Sequence, residues 1–506
     1  MSSKVLESVS IVTLVSLLLR WGVSLYPYSG AGKPPMFGDY EAQRHWQEIT
    51  INLPVQEWYR NSSSNDLLYW GLDYPPLTAY HSYVNGLVAG KLNDEYVALD
   101  HSRGFESSEH KLFMRYTVFV ADILVFIPAA FYLMAVSKSV FKPSSKTDSK
   151  LNFLALLTYP GIILIDYGHF QYNNLSIGLM MAAVAAVVDN FDCLGSVLFS
   201  LALNYKQMEL YHALPFFFFL LGKTLKEETF QRRTIKLFTL AGSVVLTFIV
   251  VWAPYLQNYD SFIQVMKRVF PINRGLFEDK VANVWCSLSI FVKLKDILDN
   301  FTMALICLVS TGITSLPSCI NLLLNSSSEH FKYCLVNVSF VFFLLSYHVH
   351  EKSILLVTVP ACMLFSNEPL LVTWLLAIAQ LSMLPLLVKD GLLIPSIVLT
   401  VLSVLVYMYA SSVQQQQRGR QDTLNNCISA STQQLVICCS ALMSAVLALC
   451  LLLLSPPARY PDLFPVLISI FCCAHFVLFA VHFHYKQFTL PDRPRSYRVT
   501  RGNKRK

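Results

Sequence analysis

Long apolar stretches recur along almost the whole chain and are separated by shorter polar connections. Such stretches predict membrane helices, because a helix that crosses a bilayer needs about 20 predominantly apolar residues. We count about fourteen of them, near residues 6–28, 112–136, 151–165, 174–190, 192–205, 208–221, 237–256, 301–324, 332–347, 353–366, 369–388, 391–411, 434–455 and 462–484. Several are too short for a straight crossing, so we expect broken or re-entrant helices, which occur where the backbone lines a cavity.

The longest polar-rich stretch, residues 29–111, follows the first apolar segment. From Asp39 to Leu53 its apolar residues recur at helical spacing, which predicts an amphipathic helix lying near the membrane interface. Tyr74 precedes two prolines, so we expect an extended residue there and a new helical turn that begins at Pro76. This stretch is therefore predicted to be a structured loop outside the bilayer.

Composition places the chain among the all-α polytopic membrane proteins. Hydrophobic residues make up 54% of it and charged residues only 14%, whereas about a quarter of the residues of a soluble domain are charged. Arg20 interrupts the first apolar segment and no clean cleavage site follows, so we interpret this segment as a retained helix rather than a signal peptide. We divide the chain into four parts: a membrane core over 1–410 that carries the 29–111 loop, a polar linker over 411–433, a C-terminal transmembrane pair over 434–484 and a basic tail over 485–506.

The net charge of +7 is concentrated in clusters at 138–150, at 223–236 and in the tail. Basic clusters beside membrane helices favour the cytosolic side. Alternating the segments from a cytosolic N-terminus places all three clusters and both termini in the cytosol, and the 29–111 loop on the opposite, lumenal side. The sequons at Asn61 and Asn300 also fall on that side.

The 29–111 loop combines carboxylates, cations and aromatic rings. The charged residues are Asp39, Glu41, Arg44, His45, Glu48 and Asp73, and the aromatic residues among them are Tyr40, Trp46, Trp58, Trp70 and Tyr74. The candidates for contact with the acceptor or for lining a cavity are Glu41, Arg44, His45, Asp73 and Tyr74. Such a mixture suits a polyhydroxylated ligand, because carboxylates accept hydrogen bonds from hydroxyl groups and aromatic faces stack on sugar C–H groups.

Asp39 has two interpretations. It follows Gly38 at the start of a predicted helix, where aspartate is a preferred N-cap residue. An ionised carboxylate beside an attacking hydroxyl group can equally act as a general base. Glu41 and Arg44 either assist this carboxylate or form a solvated helix face.

A second charged motif, His350-Glu351-Lys352, lies between two apolar segments. Charged residues at such a place are costly unless they are used. The motif is either an interfacial turn with a snorkelling lysine or a cationic clamp for a lipid phosphate, with Glu351 holding Lys352.

Further polar clusters separate short apolar segments, and each either lines a cavity or caps helices. They contain His169, Gln171, Tyr172 and Asn173, and then Lys206, Gln207 and Glu209. Arg268, Arg274 and Lys280 are further candidates for contact with phosphate.

Several kinds of catalytic site are missing from the sequence. We find no phosphate-binding glycine loop, no DxD pair, no nucleophilic triad and no zinc spacing among the twelve cysteines. We therefore expect no metal, no cofactor and no nucleic-acid partner. A membrane enzyme without a nucleotide site points to a lipid-borne donor.

Six stretches of the chain strongly resemble one family, and they are GDYEAQRHW (38–46), LDYPPLTAYH (72–81), DYGHFQYN (166–173), NYKQMELYHALPFF (204–217), RGLFEDKVANVWC (274–286) and VHEKSILL (349–356). The chain resembles the endoplasmic-reticulum glucosyltransferases of lipid-linked oligosaccharide assembly, which use dolichyl phosphate glucose. The resemblance runs from the first segment to beyond residue 390 and is looser in the C-terminal hundred residues. The 38–46 stretch resembles the members that add the first glucose rather than the second.

The resemblance implies a GT-C fold of many transmembrane helices with an active site facing the lumen of the endoplasmic reticulum. It implies dolichyl phosphate glucose as donor and dolichyl-diphosphate-Man(9)GlcNAc(2) as acceptor, with an α-1,3 linkage formed by inversion. It assigns the general base to Asp39 and the donor phosphate to His350 and Lys352. Two alternatives stay open on the residues alone: a transporter of lipid-linked oligosaccharide, and a mannosyltransferase of the same fold.

Overall fold

The computed structural model describes residues 3–140, 146–271, 280–418 and 430–491. Within these ranges the protein is helical and contains no β-strand. The α-helices, numbered in chain order, are α1 Ser3–Ser24, α2 Gly38–Asn52, α3 Pro76–Leu92, α4 Ser108–Ala121, α5 Ile127–Val140, α6 Lys146–Thr158, α7 Pro160–Ile163, α8 Asn173–Val188, α9 Asp192–Tyr205, α10 Leu210–Leu225, α11 Phe230–Trp252, α12 Tyr259–Val269, α13 Val284–Leu288, α14 Leu294–Ile297, α15 Asn300–Leu324, α16 Ser328–Leu345, α17 Leu355–Cys362, α18 Pro369–Lys389, α19 Leu393–Arg418, α20 Ala430–Leu453 and α21 Leu463–Phe488.

Each of the fourteen predicted apolar segments overlaps one or more of these helices. In the described part of the chain, nine helical stretches are long and apolar enough to cross a membrane: Leu6–Ser24, Ser108–Val136, Ser149–Phe170, Phe230–Tyr255, Asn300–Leu324, Pro369–Lys389, Leu393–Gln414, Gln434–Leu453 and Leu463–Phe488. The other five segments correspond to α8, α9, α10, α16 and α17. The all-α polytopic class is therefore confirmed, and the number of fourteen crossings stays a prediction.

Two hydrogen bonds between distant segments lie at opposite ends of helix α1. At one end the Lys150 ammonium donates to Ser8 Oγ (3.0 Å), near the start of α1. At the other end the Ser29 backbone N–H donates to the His169 carbonyl (3.0 Å), just beyond the end of α1. The 22 residues of α1 span about 33 Å between these ends.

A buried polar cluster holds α1 against the middle of the bundle. π-helical turns Asp122–Phe126, between α4 and α5, and Leu164–Phe170, after α7, interrupt two long apolar stretches. Arg20 of α1 pairs with Asp122 (Nε to Oδ2, 2.5 Å), and both side chains are about 1% exposed. Tyr167 and Asn174 also donate to this carboxylate (2.7 and 2.9 Å). Charges inside a membrane are tolerated when they are paired in this way.

Two expectations about solvated segments change in the structure. Helix α2 forms as predicted, but its residues Tyr40–Thr50 are all buried. The expectation that its polar face is solvated is therefore wrong. Helix α19 continues to Arg418, so residues 411–418 of the predicted linker are helical, and residues 419–429 lie outside the described ranges. The tail beyond residue 491 lies outside them as well.

Candidate active site

Asp39 lies in the first turn of α2, which begins after a tight turn. Phe37 (φ 57°) and Gly38 (φ +72°) are both left-handed. A Cβ atom at residue 38 would come within 2.7 Å of Ser29, so the turn requires glycine. The cap position belongs to Phe37, whose side chain makes no capping bond. The N-cap interpretation of Asp39 is therefore wrong, because this residue lies two positions inside the helix.

The Asp39 carboxylate is held through only one of its oxygens. Oδ2 accepts hydrogen bonds from His169 Nε2 (2.9 Å), from Gln171 Nε2 (2.5 Å) and from Lys352 Nζ. Within the described residues, no group donates to the other oxygen, Oδ1. The side chain is 20% exposed. Three parts of the chain thus converge on Asp39: helix α2, the residues that end and follow the second π-helical turn, and the 3-10 turn Glu351–Ile354.

The surroundings of Asp39 favour its ionised form. Burial by itself would raise the pKa of the carboxyl group, but the Lys352 ammonium and His169 outweigh it and hold the pKa well below its usual value. The carboxylate is therefore ionised at neutral pH. A group that must take up a proton meets the first requirement of a general base in this state.

Lys352 belongs to the site rather than to a solvated turn. Its side chain is 19% exposed, and its ammonium contacts Asp39 and lies 3.2 Å from His169 Nε2. The preceding His350 is in extended conformation, and its carbonyl accepts a bond from the Ser353 N–H (3.0 Å) at the start of the 3-10 turn. The interfacial alternative with a snorkelling lysine is therefore wrong for Lys352. A phosphate contact of His350 or Lys352, and the bracing role of Glu351, stay predictions.

Lys206 lies deeper in the same cluster and is almost fully buried. Its ammonium donates to Asn173 Oδ1 (2.6 Å), lies 3.5 Å from Gln171 Oε1 and sits 4.9 Å from the centre of the Tyr74 ring. Gln171 therefore bridges Lys206 and Asp39. Burial, with repulsion from Lys352, lowers the pKa of Lys206 to about 8. The predicted polar clusters after α7 and α9 thus meet at one site.

Asp390 is a site residue that the sequence interpretation missed. Its carboxylate Oδ2 lies 2.6 Å from His169 Nδ1, and both side chains are 3% exposed. Asp390 follows α18, whose end the apolar pattern placed at residue 388. An acidic residue directly after a membrane segment is the signal that could have indicated it.

Other predicted residues lie apart from Asp39. Glu209 pairs with His212 Nδ1 (2.7 Å), and both side chains are fully buried. Asp73 is half-buried, and its backbone carbonyl accepts a hydrogen bond from Gln207 (3.0 Å). Arg268 donates to the carbonyls of residues 71 and 72 and so supports the turn before Tyr74.

Glu41, Arg44 and His45 form a closed cluster instead of a solvated face. Arg44 donates to both Glu41 oxygens (2.7 and 2.6 Å) and to Glu48 Oε2 (2.7 Å). His45 Nδ1 lies 3.2 Å from the same Glu48 oxygen, and Ser102 bridges Arg44 and Glu48. All four α2 side chains are at most 2% exposed. The solvated-face interpretation of Glu41 and Arg44 is therefore wrong, because their charges are neutralised inside the protein.

Of two further phosphate candidates, one is paired with a carboxylate and the other is undescribed. Lys280 pairs with Asp462 (3.0 Å), and Arg274 lies outside the described residues. Across the ranges that the structure describes, no group of three or more histidine, cysteine, aspartate or glutamate side chains is arranged to hold a metal ion. The charges around Asp39 are instead supplied by lysine and histidine.

A comparison with known proteins identifies the family. Residues 12–482 match the model of the ALG6, ALG8 glycosyltransferase family. The chain belongs to this family. Similar relatives from Gallus gallus and Rattus norvegicus, named dolichyl pyrophosphate Man9GlcNAc2 alpha-1,3-glucosyltransferase, are 47% and 48% identical over 488 residues, which cover 94% of this chain and 95% of each relative. A Drosophila melanogaster relative with the same name, given as probable, is 44% identical over 489 residues, 97% of this chain and 99% of its own length.

Membership of the ALG6, ALG8 family agrees with the expected fold class and with the expected enzyme class. The match includes α2, both π-helical turns and the 3-10 turn that carries Lys352, so every part of the Asp39 cluster lies inside the matched region. It also extends into the C-terminal helix α21, where the motif resemblance was looser. The Asp39 cluster is therefore a feature of the family region rather than of an added segment.

Proposed function

We propose that this ALG6, ALG8 family member transfers glucose from dolichyl phosphate glucose to dolichyl-diphosphate-Man(9)GlcNAc(2) and forms an α-1,3 linkage. The observation that carries the proposal is the Asp39 carboxylate, held at one oxygen by three N–H groups and open at the other. The names of the relatives support the acceptor and the linkage. The donor is inferred from the motifs around Asp39 and Lys352.

In the proposed reaction Asp39 acts as the general base. Its Oδ1 accepts the proton of the acceptor hydroxyl group while the hydroxyl oxygen attacks the anomeric carbon. The new C–O bond forms as the bond from that carbon to the phosphate oxygen breaks, and the electron pair leaves with dolichyl phosphate. A single displacement inverts a β-linked donor to an α-linked product. Inversion needs one base and no covalent nucleophile on the enzyme.

Lys352 is proposed to stabilise the leaving phosphate. An ammonium group has three N–H donors, so it can contact Asp39 and still donate to a phosphate oxygen. A phosphate leaving group is already stable as an anion, and fixed positive charge beside it can replace a general acid. His350, two residues before Lys352, is proposed to contribute a further contact to the donor.

The experiment that tests this function uses purified enzyme, synthetic donors and mass spectrometry of the lipid product. Dolichyl phosphate glucose and dolichyl phosphate mannose are each offered with a nine-mannose lipid acceptor. We expect addition of one hexose from the glucose donor and none from the mannose donor. The same acceptor already carrying one glucose serves as the second arm. Preferred use of that acceptor would reassign the protein to the second glucose, and transfer to neither acceptor would refute the proposal.

We also propose that the Asp39 end of the bundle faces the lumen of the endoplasmic reticulum and that both termini are cytosolic. The basic clusters near α6, near α11 and in the tail support this orientation. A glycosylation tag inserted near residue 65 should then be modified, whereas one placed after Lys504 should not. Modification of the C-terminal tag would refute the orientation without bearing on the reaction.

A further inference from the structure

We infer that Asp390 is a positioning residue of the transfer reaction, which acts through His169 to hold the Asp39 carboxylate in its proton-accepting geometry. The inference rests on the proposed role of Asp39 as base. Asp390 contacts neither the open Oδ1 of Asp39 nor Lys352 in the described structure. Its effect must therefore pass through the imidazole ring between the two carboxylates.

The His169 ring is placed between two carboxylate oxygens. Nε2 lies 2.9 Å from Asp39 Oδ2, and Nδ1 lies 2.6 Å from Asp390 Oδ2. Ionised carboxylates only accept hydrogen bonds, whereas a neutral imidazole has one donor nitrogen and one acceptor nitrogen. Both contacts are hydrogen bonds only when the ring carries both protons. The geometry therefore assigns an imidazolium ion to His169.

Among the groups that contact the His169 ring directly, the charges balance only when Asp390 is included. Lys206, deeper in the same cluster, reaches Asp39 only through Gln171. Two carboxylates, Asp39 and Asp390, lie at its ring nitrogens, and the Lys352 ammonium lies 3.2 Å from Nε2. With an imidazolium ring the two negative and two positive charges cancel. Without Asp390 the same group would carry one excess positive charge in a largely buried place, which is unfavourable. The ring would then release a proton, and Asp39 would lose the neighbouring positive charge of the imidazolium ion.

The backbone around Asp390 is suited to hold a carboxylate in one position. Asp390 N–H donates to the Leu386 carbonyl (3.2 Å) at the end of α18, and Gly391 (φ +75°) reverses the chain directly after it. The Lys33 ammonium donates to the Lys389 carbonyl (2.8 Å), which ties this corner to the loop that leads into α2. Asp390 itself is only 5% exposed. The carboxylate is therefore fixed relative to both His169 and Asp39.

The test is the pH dependence of kcat/KM for the lipid donor in Asp390→Asn. Asparagine has the same size but no charge, so the imidazolium is no longer balanced, and the pKa of Asp39 rises towards that of a buried carboxyl group. Activity then falls as pH decreases through this higher pKa. We expect the acid limb to move upward by about one to three pH units relative to that of the wild type. At neutral pH we expect a loss on the order of ten-fold.

Two matched comparisons separate positioning from a general loss of stability. Asp192→Asn removes a carboxylate that pairs with Lys223 and Lys236 at the other end of the bundle, and it should leave the acid limb where it is in the wild type. In a His169→Gln background, whose acid limb is already raised, adding Asp390→Asn should not move it further. An acid limb unmoved in Asp390→Asn, or an equal shift with and without His169, would overturn the inference.

If Asp390→Asn does not fold, two other variants, Asp390→Glu and His169→Gln, still test the inference. Asp390→Glu keeps the charge, so its acid limb should stay near that of the wild type, while His169→Gln alone should raise it. A raised limb in Asp390→Glu together with an unchanged one in His169→Gln would overturn the inference. Full activity of Asp39→Asn would instead refute the base on which the proposal rests, so the two failures can be told apart.

Discussion

Helix α2 carries a buried carboxylate, Glu48, and a partly buried one, Asp39, and the two differ in how completely they are hydrogen-bonded. Glu48 uses both oxygens: Oε2 faces Arg44, His45 and Ser102, and Oε1 accepts from the Asp100 N–H (2.8 Å). Asp39 receives all three of its bonds at Oδ2. Both oxygens of Glu48 are therefore hydrogen-bonded, whereas only one oxygen of Asp39 is, although the two residues lie nine positions apart on one helix.

The contrast between Glu48 and Asp39 shows that a low pKa of a carboxyl group does not by itself identify the general base. Burial would raise the pKa of Glu48, but His45 and Arg44 lower it to about 2, and the pKa of Asp39 is also well below its usual value. Both groups are ionised at neutral pH. Only Asp39 keeps an oxygen that no described group occupies. The unoccupied oxygen, rather than the ionisation state, is what separates a candidate catalyst from a structural charge.

The largest expected effect comes from Asp39→Asn, which keeps the size of the side chain and removes its ability to accept a proton. We expect turnover to fall by about a hundred- to ten-thousand-fold, as for loss of general-base catalysis. Turnover is measured on purified, folded enzyme beside thermal melting and donor binding, so that loss of the chemistry is separated from loss of stability.

Turnover of Asp39→Asn within a few-fold of wild type would remove Asp39 from the role of base. Glu41 would not be the next candidate, because both of its oxygens are bonded to Arg44 and one of them also accepts from Tyr69 (2.8 Å). Asp73, whose side chain is half-buried, would then be tested instead.

Arg44→Met tests whether the fully hydrogen-bonded cluster around Glu48 is structural rather than catalytic. It leaves Glu41 and Glu48 buried without their shared cation, and breaking a buried ion pair costs about 3–5 kcal/mol of the free energy of unfolding. We expect a large decrease in the thermal midpoint, with turnover per folded molecule within a few-fold of wild type. A specific loss of turnover at unchanged stability would place the closed cluster in the chemistry after all.

Lys352→Ala removes the ammonium group that contacts Asp39 and so tests its proposed contact with the donor phosphate. Losing a charge-assisted contact costs about 1.5–3 kcal/mol, so donor-dependent activity should fall on the order of ten- to a hundred-fold. Activity is measured as a function of donor concentration, and His350→Ala should act in the same direction. Wild-type kinetics in both variants would leave the donor phosphate without an assigned contact.

The smallest expected effect is a pH dependence of stability that arises from Glu48. Its pKa is about 2 in the folded protein against 4.5 as its ordinary value, so the unfolded chain binds more protons between these values. The stabilisation is complete above about pH 4.5 and is lost as pH falls through 2, by roughly 1–3 kcal/mol. Thermal melting between pH 3 and 6 should therefore depend less on pH in Glu48→Gln, and equal slopes would contradict this account.

Local patterns predicted the helices and singled out Asp39 as a candidate, whereas its role as base came from the family resemblance and stays a prediction. Apolar length predicted the membrane segments, and the two prolines after Tyr74 predicted the start of α3 at Pro76. The polar motifs at Asp39, His169 and Lys352 were each visible as exceptions in an apolar chain. Their convergence agrees with the predicted alternation, which placed all three on one side of the membrane.

Pairings between distant residues could not be predicted in the same way. Arg44 and Glu41 are three residues apart, a spacing that occurs on solvated and on buried helices alike, and only the packing of residues 96–102 over α2 decides between the two. Asp390 and His169 are 221 residues apart. No local pattern joins them, because their contact depends on how α18 ends beside the second π-helical turn.

The pairing of Arg20 with Asp122 has a consequence for biogenesis. An unpaired arginine makes insertion of a helix less favourable by about 2.5–3.5 kcal/mol at the bilayer centre. During synthesis α1 emerges long before its partner in the π-helical turn after α4, and the whole 29–111 loop is made between them. Arg20 of the first helix therefore gains its counterion only after that loop has been synthesised. The packing of α1 through the Arg20–Asp122 pair is therefore completed only after the loop that carries Asp39 has been made.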